Sequence, residues 1–301
     1  MKKTFFTLLI LWCVLPFRLF SLDLELKGGL GNLAFNPAST TALSDPDNPG
    51  DFSPHFFPLI SARLSGEFKI LAYNAGYERD PVLRNRLFAN LRAGTDYFFV
   101  EAGPIIGLFN TAKLPVNPGI SASLGFGAPG IIFARASGSS TLGTVMDIIG
   151  NYSQTTGDIS VEFWVPYVIC SLNMSTRNFT LRENATLLIE DELTRYFFSA
   201  DVYAKNMPFT VRVNLGFQDL KRTYDSRKIE NNTIAKDTQT DEHKSVFAGL
   251  EAKYTISPAL KILLGGEMPI YSWSVRPLKD PSKGILFFRA TAGFILTFPN
   301  L

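Results

Sequence analysis

After residue 21 the chain alternates apolar and polar positions with a period of two, and helical periodicity is hard to find. Residues 284–298 read GILFFRATAGFILTF. One parity is apolar throughout (Leu286, Phe288, Ala290, Ala292, Phe294, Leu296, Phe298), and the other carries Arg289, Thr291, Gly293 and Thr297. The same rule places apolar faces at Leu260/Ile262/Leu264/Met268/Ile270, Val246/Ala248/Leu250/Ala252/Tyr254/Ile256, Phe209/Val211/Val213/Leu215/Phe217 and Tyr196/Phe198/Ala200/Val202/Ala204. Further faces fall at Cys170/Leu172/Met174, Ile159/Val161/Phe163/Val165, Ile132/Ala134/Ala136, Ile120/Ala122/Leu124/Phe126 and Phe98/Val100/Ala102/Ile106. The remaining ones are Leu87/Ala89/Leu91/Ala93, Leu71/Tyr73/Ala75, Ile60/Ala62/Leu64 and Leu22/Leu24/Leu26. Strict alternation marks strands with one apolar face, and fourteen such segments predict an all-β chain.

The connections alternate too. Tight turns are expected at Gly66-Glu67, Gly94-Thr95-Asp96, Gly127-Ala128-Pro129-Gly130, Pro166-Tyr167, Asn206-Met207-Pro208 and Ser257-Pro258. Longer polar loops are expected near 37–57, 79–84, 109–118, 139–156, 178–192, 220–243 and 272–282. A secreted β-sandwich has alternating strands, but it has no reason to sort its connections into short and long sets. Short-long sorting with an even strand number predicts an up-and-down antiparallel transmembrane β-barrel over residues 22–301, with extracellular loops and both termini periplasmic.

The first residues follow a different rule. Lys2-Lys3 precede an apolar run that ends near Pro16, then come Arg18 and a short stretch closing on the small residue Ser21. This is the layout of a secretory signal peptide over residues 1–21, too short to cross a bilayer as a helix. Cys13 follows Trp12, where acylation normally wants a small residue, so the leader is not read as a lipoprotein signal. Its removal leaves one cysteine, Cys170, and therefore no intrachain disulfide.

Composition narrows the partners. Charged residues are 19 % of the 301, and hydrophobic residues are 46 %, enough to exclude disorder. Mean hydropathy is only +0.10, so a bundle of membrane helices is excluded as well. The net charge of +2 rests on Lys2, Lys3 and Arg18, and a near-neutral mature chain lacks the footprint of a nucleic-acid binder.

The terminal strand with Phe294 and Phe298 resembles the C-terminal signal of integral outer-membrane barrels of two-membrane bacteria, although Pro299-Asn300-Leu301 follow it here. Phe35-Asn36-Pro37-Ala38 is similar to the Asn-Pro-Ala motif in the N-terminal plug of FadL-type fatty-acid channels, and the strand number is similar to OmpG-type porins. Read without the resemblance, Asn36-Pro37 is a turn opening a loop. The resemblance implies an outer-membrane location, outer-membrane lipids and the barrel-assembly machinery as partners, and transport of a small-molecule solute; it leaves the oligomeric state open.

The polar parity supplies the candidate lumen. It carries Arg63, Arg86, Arg92, Arg135, Arg212, Lys253 and Arg289 with Glu101, Glu162, Asp201, Glu251 and Glu267. Mixed among them are Phe88, Phe99, Phe133, Trp164, Phe197, Tyr203, Phe247 and Phe287. Pairing Ala204 with Phe209 across their turn sets Asp201 opposite Arg212. Charges of this kind either cross-brace the lumen or line a pathway. Rings among them would suit a solute with an apolar body and a charged head.

Catalytic chemistry finds little to stand on. His55 and His243 both fall in expected extracellular loops, where a solvated histidine is the plain reading. No cluster has metal-ligand spacing, no glycine loop is set to cradle phosphate, and no cofactor is expected. The chain is therefore read as a non-enzymatic outer-membrane channel for passive transport of small amphipathic or hydrophobic solutes. The alternative is a surface-exposed barrel whose loops act in adhesion or bind host molecules. The mixed-charge 220–243 segment separates the two, constricting a channel if it folds inward and offering a binding surface if it projects.

Overall fold

A computed structural model describes residues 21–32, 57–68, 70–109, 116–144, 152–183, 186–203, 207–230, 233–273 and 288–298. The expected leader up to residue 20, the 35–38 motif, His55, Phe287 and the tail after Phe298 lie outside the described residues.

Fourteen strands follow one another in chain order: β1 (Ser21–Gly31), β2 (Phe57–Phe68), β3 (Leu71–Asp80), β4 (Arg84–Gly94), β5 (Phe98–Leu108), β6 (Val116–Ala128), β7 (Ile132–Thr141), β8 (Tyr152–Val165), β9 (Val168–Glu183), β10 (Thr186–Tyr203), β11 (Phe209–Glu230), β12 (Thr233–Ser257), β13 (Leu260–Trp273) and β14 (Arg289–Phe298). Each pairs antiparallel with its chain neighbours, and β1 pairs with β14 to close the barrel. Closure satisfies every edge, the condition for placing a sheet in hydrocarbon. The barrel strands begin and finish at one end, the end of the tight turns; at the other end two or three residues join β3 to β4, β9 to β10 and β11 to β12, and longer connections join the rest.

The apolar parity faces out. Leu250, Leu172, Leu215 and Leu124 are 54, 56, 50 and 40 % exposed, within a belt of exposed large apolar side chains that runs around the barrel. A belt of that extent is incompatible with an aqueous surface. On β11 it spans residues 209–217, which at ~3.3 Å per residue and a tilt of ~40° covers roughly 20–25 Å, the height of a hydrocarbon layer. At its upper border Trp273 tilts against Phe217 at 5.6 Å and against Tyr271 at 5.5 Å, an aromatic girdle. Immediately beyond, Asp219 pairs with Lys244 (3.8 Å) and Lys244 with Glu242 (2.7 Å).

Several expected boundaries are corrected. The loops expected at 178–192 and 220–243 are mostly strand: β9 and β10 close at Glu183 and Thr186, and the β11–β12 ladder continues in register to Glu230 opposite Thr233. The 139–156 loop likewise loses its ends to β7 and β8. Above the belt the outward row turns polar while the inward row takes up buried Phe179, Leu181, Ile189 and Leu220 among its charges, so the membrane-type alternation is lost while backbone pairing persists. His243 is not a solvated loop residue; it lies inside β12 and is 2 % exposed. The turn expected at Gly66-Glu67 is strand, because Glu67 pairs with Ala72 and Phe68 with Leu71. The 79–84 loop is neither long nor polar in its packing, since its Val82 and Leu83 are buried.

Candidate functional site

Contacts between strands that are not neighbours must cross the barrel interior, and they locate the lumen. Arg84 of β4 reaches Asp191 of β10 (2.9 Å), Arg86 of β4 donates to Ser139 Oγ of β7 (2.7 Å), and Arg195 of β10 pairs with Glu267 of β13 (2.6 Å). All these side chains belong to the polar parity.

At the loop end the lumen is narrowed by the β3–β4 turn. Asp80 Oδ1 accepts the amides of Val82 (2.8 Å) and Leu83 (3.0 Å), which tightens the turn and aims both side chains inward. Val82 packs in a cluster with Phe109, Tyr152, Phe179, Leu181, Ile189 and Leu220, drawn from β8 to β11 and the end of β5. Gln154, fully buried, donates to the carbonyls of Leu83 and Asn85, the latter at 3.2 Å. Arg84 holds a left-handed backbone (φ 68°), which costs a non-glycine residue about 1 kcal/mol or more. That geometry lets its guanidinium donate to Pro81 O and Asp191 while lying over the Phe179 ring at 5.3 Å. Arg222 of β11 grips the same Asp191 carboxylate with two hydrogen bonds, at 2.5 and 2.7 Å. One buried carboxylate thus ties the turn to the opposite wall.

Below this constriction lie two charged hollows. One, of about 190 Å³, sits against β2–β9 between Arg63, Arg86, Arg135 and Arg177 on one side of the charge balance and Glu78, Glu101 and Asp158 on the other. Arg86 pairs with Glu78 across the β3–β4 ladder. Glu101 lies 3.6 Å from Arg135 and accepts from Asn90 (3.1 Å) and Ser123 (3.4 Å). The other hollow, of about 200 Å³, sits against β10–β14 and β1 and is lined by Arg195, Arg212, Glu251, Glu267, Arg289 and Lys27. There Arg212 grips Asp201 with two hydrogen bonds (2.5 and 2.6 Å), the partner set by the register read from the turn.

Arginines cover several of the lumen rings. Arg92 lies over Phe99 at 3.9 Å, Arg195 over Phe247 at 4.1 Å, and Arg63 over Phe88 at 5.8 Å. Phe99 stacks on Phe133, and Phe197 tilts against Phe247, both pairs at 6.0 Å. These rings pack as supports for guanidinium groups. Trp164, Tyr203, Glu162 and Lys253 stand lower, toward the turn end; the first three are half-buried and Lys253 is exposed.

Several lumen groups escaped the sequence reading. Arg195 and Lys27 continue the polar parity of β10 and β1 one or two steps past the segments judged by their apolar faces. Asp191 and Arg222 are opposite each other in the β10–β11 register, the same register that sets Asp201 opposite Arg212, and were missed because residues 178–192 and 220–243 read as loops. Arg84 joins them only through the closed barrel.

The sequence matches no family model and no curated protein. Solved structures with a similar barrel include the loop L8 deletion mutant of OmpT, an outer membrane protein of Vibrio cholerae (TM-score 0.44, 7 % identity, covering 92 % of this chain and 98 % of that one). An outer membrane channel from Pseudomonas putida F1 is similar at TM-score 0.43 and 6 % identity, over 93 % of this chain and 95 % of that one. Salmonella typhi OmpF in complex with daunomycin is similar at TM-score 0.39 and 8 % identity, over 94 and 98 % of the respective chains.

Proposed function

We propose that this chain is a channel of the bacterial outer membrane, passing small solutes passively, with its termini and tight turns on the periplasmic side. The observation that carries the reading is the contrast between the two faces of one sheet. Outside is an apolar belt of lipid height; inside are charge-lined hollows of about 190 and 200 Å³. A barrel of fourteen strands is wider than the eight-stranded kind that side chains fill, so a lumen remains for solute. Movement down a gradient calls on no catalytic group or cofactor; pore width and wall charge set the preference.

The inward β3–β4 turn supports a channel with a restricted outer mouth, not a wide general porin. The expectation of an amphipathic solute narrows on the same grounds. Phe99 and Phe247 are buried beneath guanidinium planes, which leaves Trp164 and Tyr203 for an apolar body and the arginines for a charged head. A second reading, surface contact with outside molecules, is favoured by the β10–β12 wall, which stands well above the belt.

Flux of small labelled solutes through proteoliposomes of the refolded protein tests the first reading against the second: solute-independent tightness would remove the channel. Topology is tested in a Cys170→Ala background on intact cells with a membrane-impermeant thiol reagent. Asn232→Cys, between β11 and β12, should label, and Gly127→Cys, in a tight turn, should not; the opposite pattern would invert the barrel.

A further inference from the structure

We infer that the hollow against β10–β14 and β1 is a binding station for a small organic anion, with Arg289 and Lys27 as the groups that hold its carboxylate. This deepens the channel reading and rests on it for its biological meaning. The hollow is lined by four cations, Lys27, Arg195, Arg212 and Arg289, against two anions, Glu251 and Glu267. The cations are not equally committed. Arg212 is spent on Asp201 with two hydrogen bonds, and Arg195 is spent on Glu267 at 2.6 Å with its face on Phe247.

Arg289 is opposite Glu267 in the β13–β14 register, yet that carboxylate is already taken. Among the described residues Arg289 has no ion pair or hydrogen bond from its guanidinium, and it is half-buried. Lys27 stands 3.9 Å from Glu251, at the limit of a pair and with both partners partly exposed. Two positive groups therefore face one cavity with at most one distant carboxylate to share.

Gly265 of β13 lies directly between Glu251 of β12 and Thr291 of β14, whose side chains close over it and wall the hollow there. A cavity of about 200 Å³ accepts a single small molecule, not a chain or a nucleotide. Guanidinium and ammonium groups in a recess of restricted water favour a carboxylate by charge-assisted hydrogen bonds, and a guanidinium fork adds directionality. A cation of the same shape would meet net repulsion.

The test is equilibrium binding of benzoate to the refolded, detergent-solubilised full barrel, by titration calorimetry, with benzylamine as the cationic probe of matching shape. Benzoate should bind and benzylamine should not. Arg289→Gln should weaken benzoate at least tenfold and Lys27→Gln several-fold, while Glu267→Gln, which frees Arg195, should tighten it. Lys244→Gln, on the outer face, should leave it unchanged. Folding of each variant is checked by the heat-dependent gel mobility of the barrel, and Lys27→Gln carries the test if Arg289→Gln does not fold. Absence of benzoate binding, equal binding of benzylamine, or indifference to Arg289→Gln and Lys27→Gln would overturn the station. Solute flux without benzoate binding would remove the station and leave the channel; benzoate binding without flux would do the reverse.

Discussion

The barrel has a low wall and a tall one. Strands β2 to β7 have 10 to 13 residues each, whereas β9 to β12 have 16, 18, 22 and 25. On the low wall the ladder stops about where the apolar belt stops. On the tall wall it continues, and its outward row changes from Phe217 and Val246 to Asp219 and Lys244 within one step of the parity, with Glu242 following at the next. The inward row of the same strands holds Asp191, Leu220, Arg222 and His243, all buried. The low wall contributes the β3–β4 turn, and the tall wall contributes the surface on which it docks. Height beyond the membrane is thus what gives the turn a surface to dock on.

The comparison breaks most sharply at Asp191. Replacing it with Ala leaves the buried Arg222 and the half-buried Arg84 without their shared carboxylate, and removing one partner of a buried ion pair costs about 3–5 kcal/mol. The urea midpoint in detergent should fall accordingly, and a shift close to zero would mean that the turn is not tied to the tall wall.

The next largest effect locates the border of the belt. Leu250 and Thr240 lie on the same outward row of β12. Leu250→Arg should cost about 2–4 kcal/mol in unfolding from liposomes, and Thr240→Arg within about 0.5 kcal/mol of nothing. Equal costs would place both residues in the same medium and erase the distinction between the walls. Glu251→Arg, one residue beyond Leu250 and facing the lumen, should cost about 1 kcal/mol or less.

The smallest effect is the coupling of Asp201 with Arg212 within the lumen. A double-mutant cycle through Asp201→Ala and Arg212→Ala should give about 0.2–1 kcal/mol, the range for a cross-strand charge pair with one partner exposed. No coupling would show that the register, not the pair, holds these strands.

These contrasts also explain what was legible in the chain. The closed antiparallel barrel of fourteen strands followed from one-sided apolarity, because lipid imposes a clean choice on every outward position. Asp201 opposite Arg212 followed from a short turn that leaves little freedom of register. The extension of β11 and β12 did not follow, since beyond Phe217 water lies outside and the outward row no longer needs to be apolar. Residues 220–243 therefore read as loop while forming wall. The docking of the turn was illegible for another reason: Arg84 and Asp191 are 107 positions apart, and only closure of the barrel brings them to 2.9 Å. Val82-Leu83 gave a local hint, two apolar residues in a segment otherwise read as polar, whose meaning appears once the opposite wall is in place.

The central claim, a channel whose outer mouth is narrowed by the β3–β4 turn resting on the tall wall, is tested most directly by single-channel recording in planar bilayers. The comparison is between the wild-type barrel and Leu83→Ser, which trades a buried apolar contact of the turn for one that prefers water. The account predicts low, intermittent conductance for the wild type, and longer and larger openings for the variant. A large, steady conductance in the wild type that Leu83→Ser leaves unaltered would contradict it.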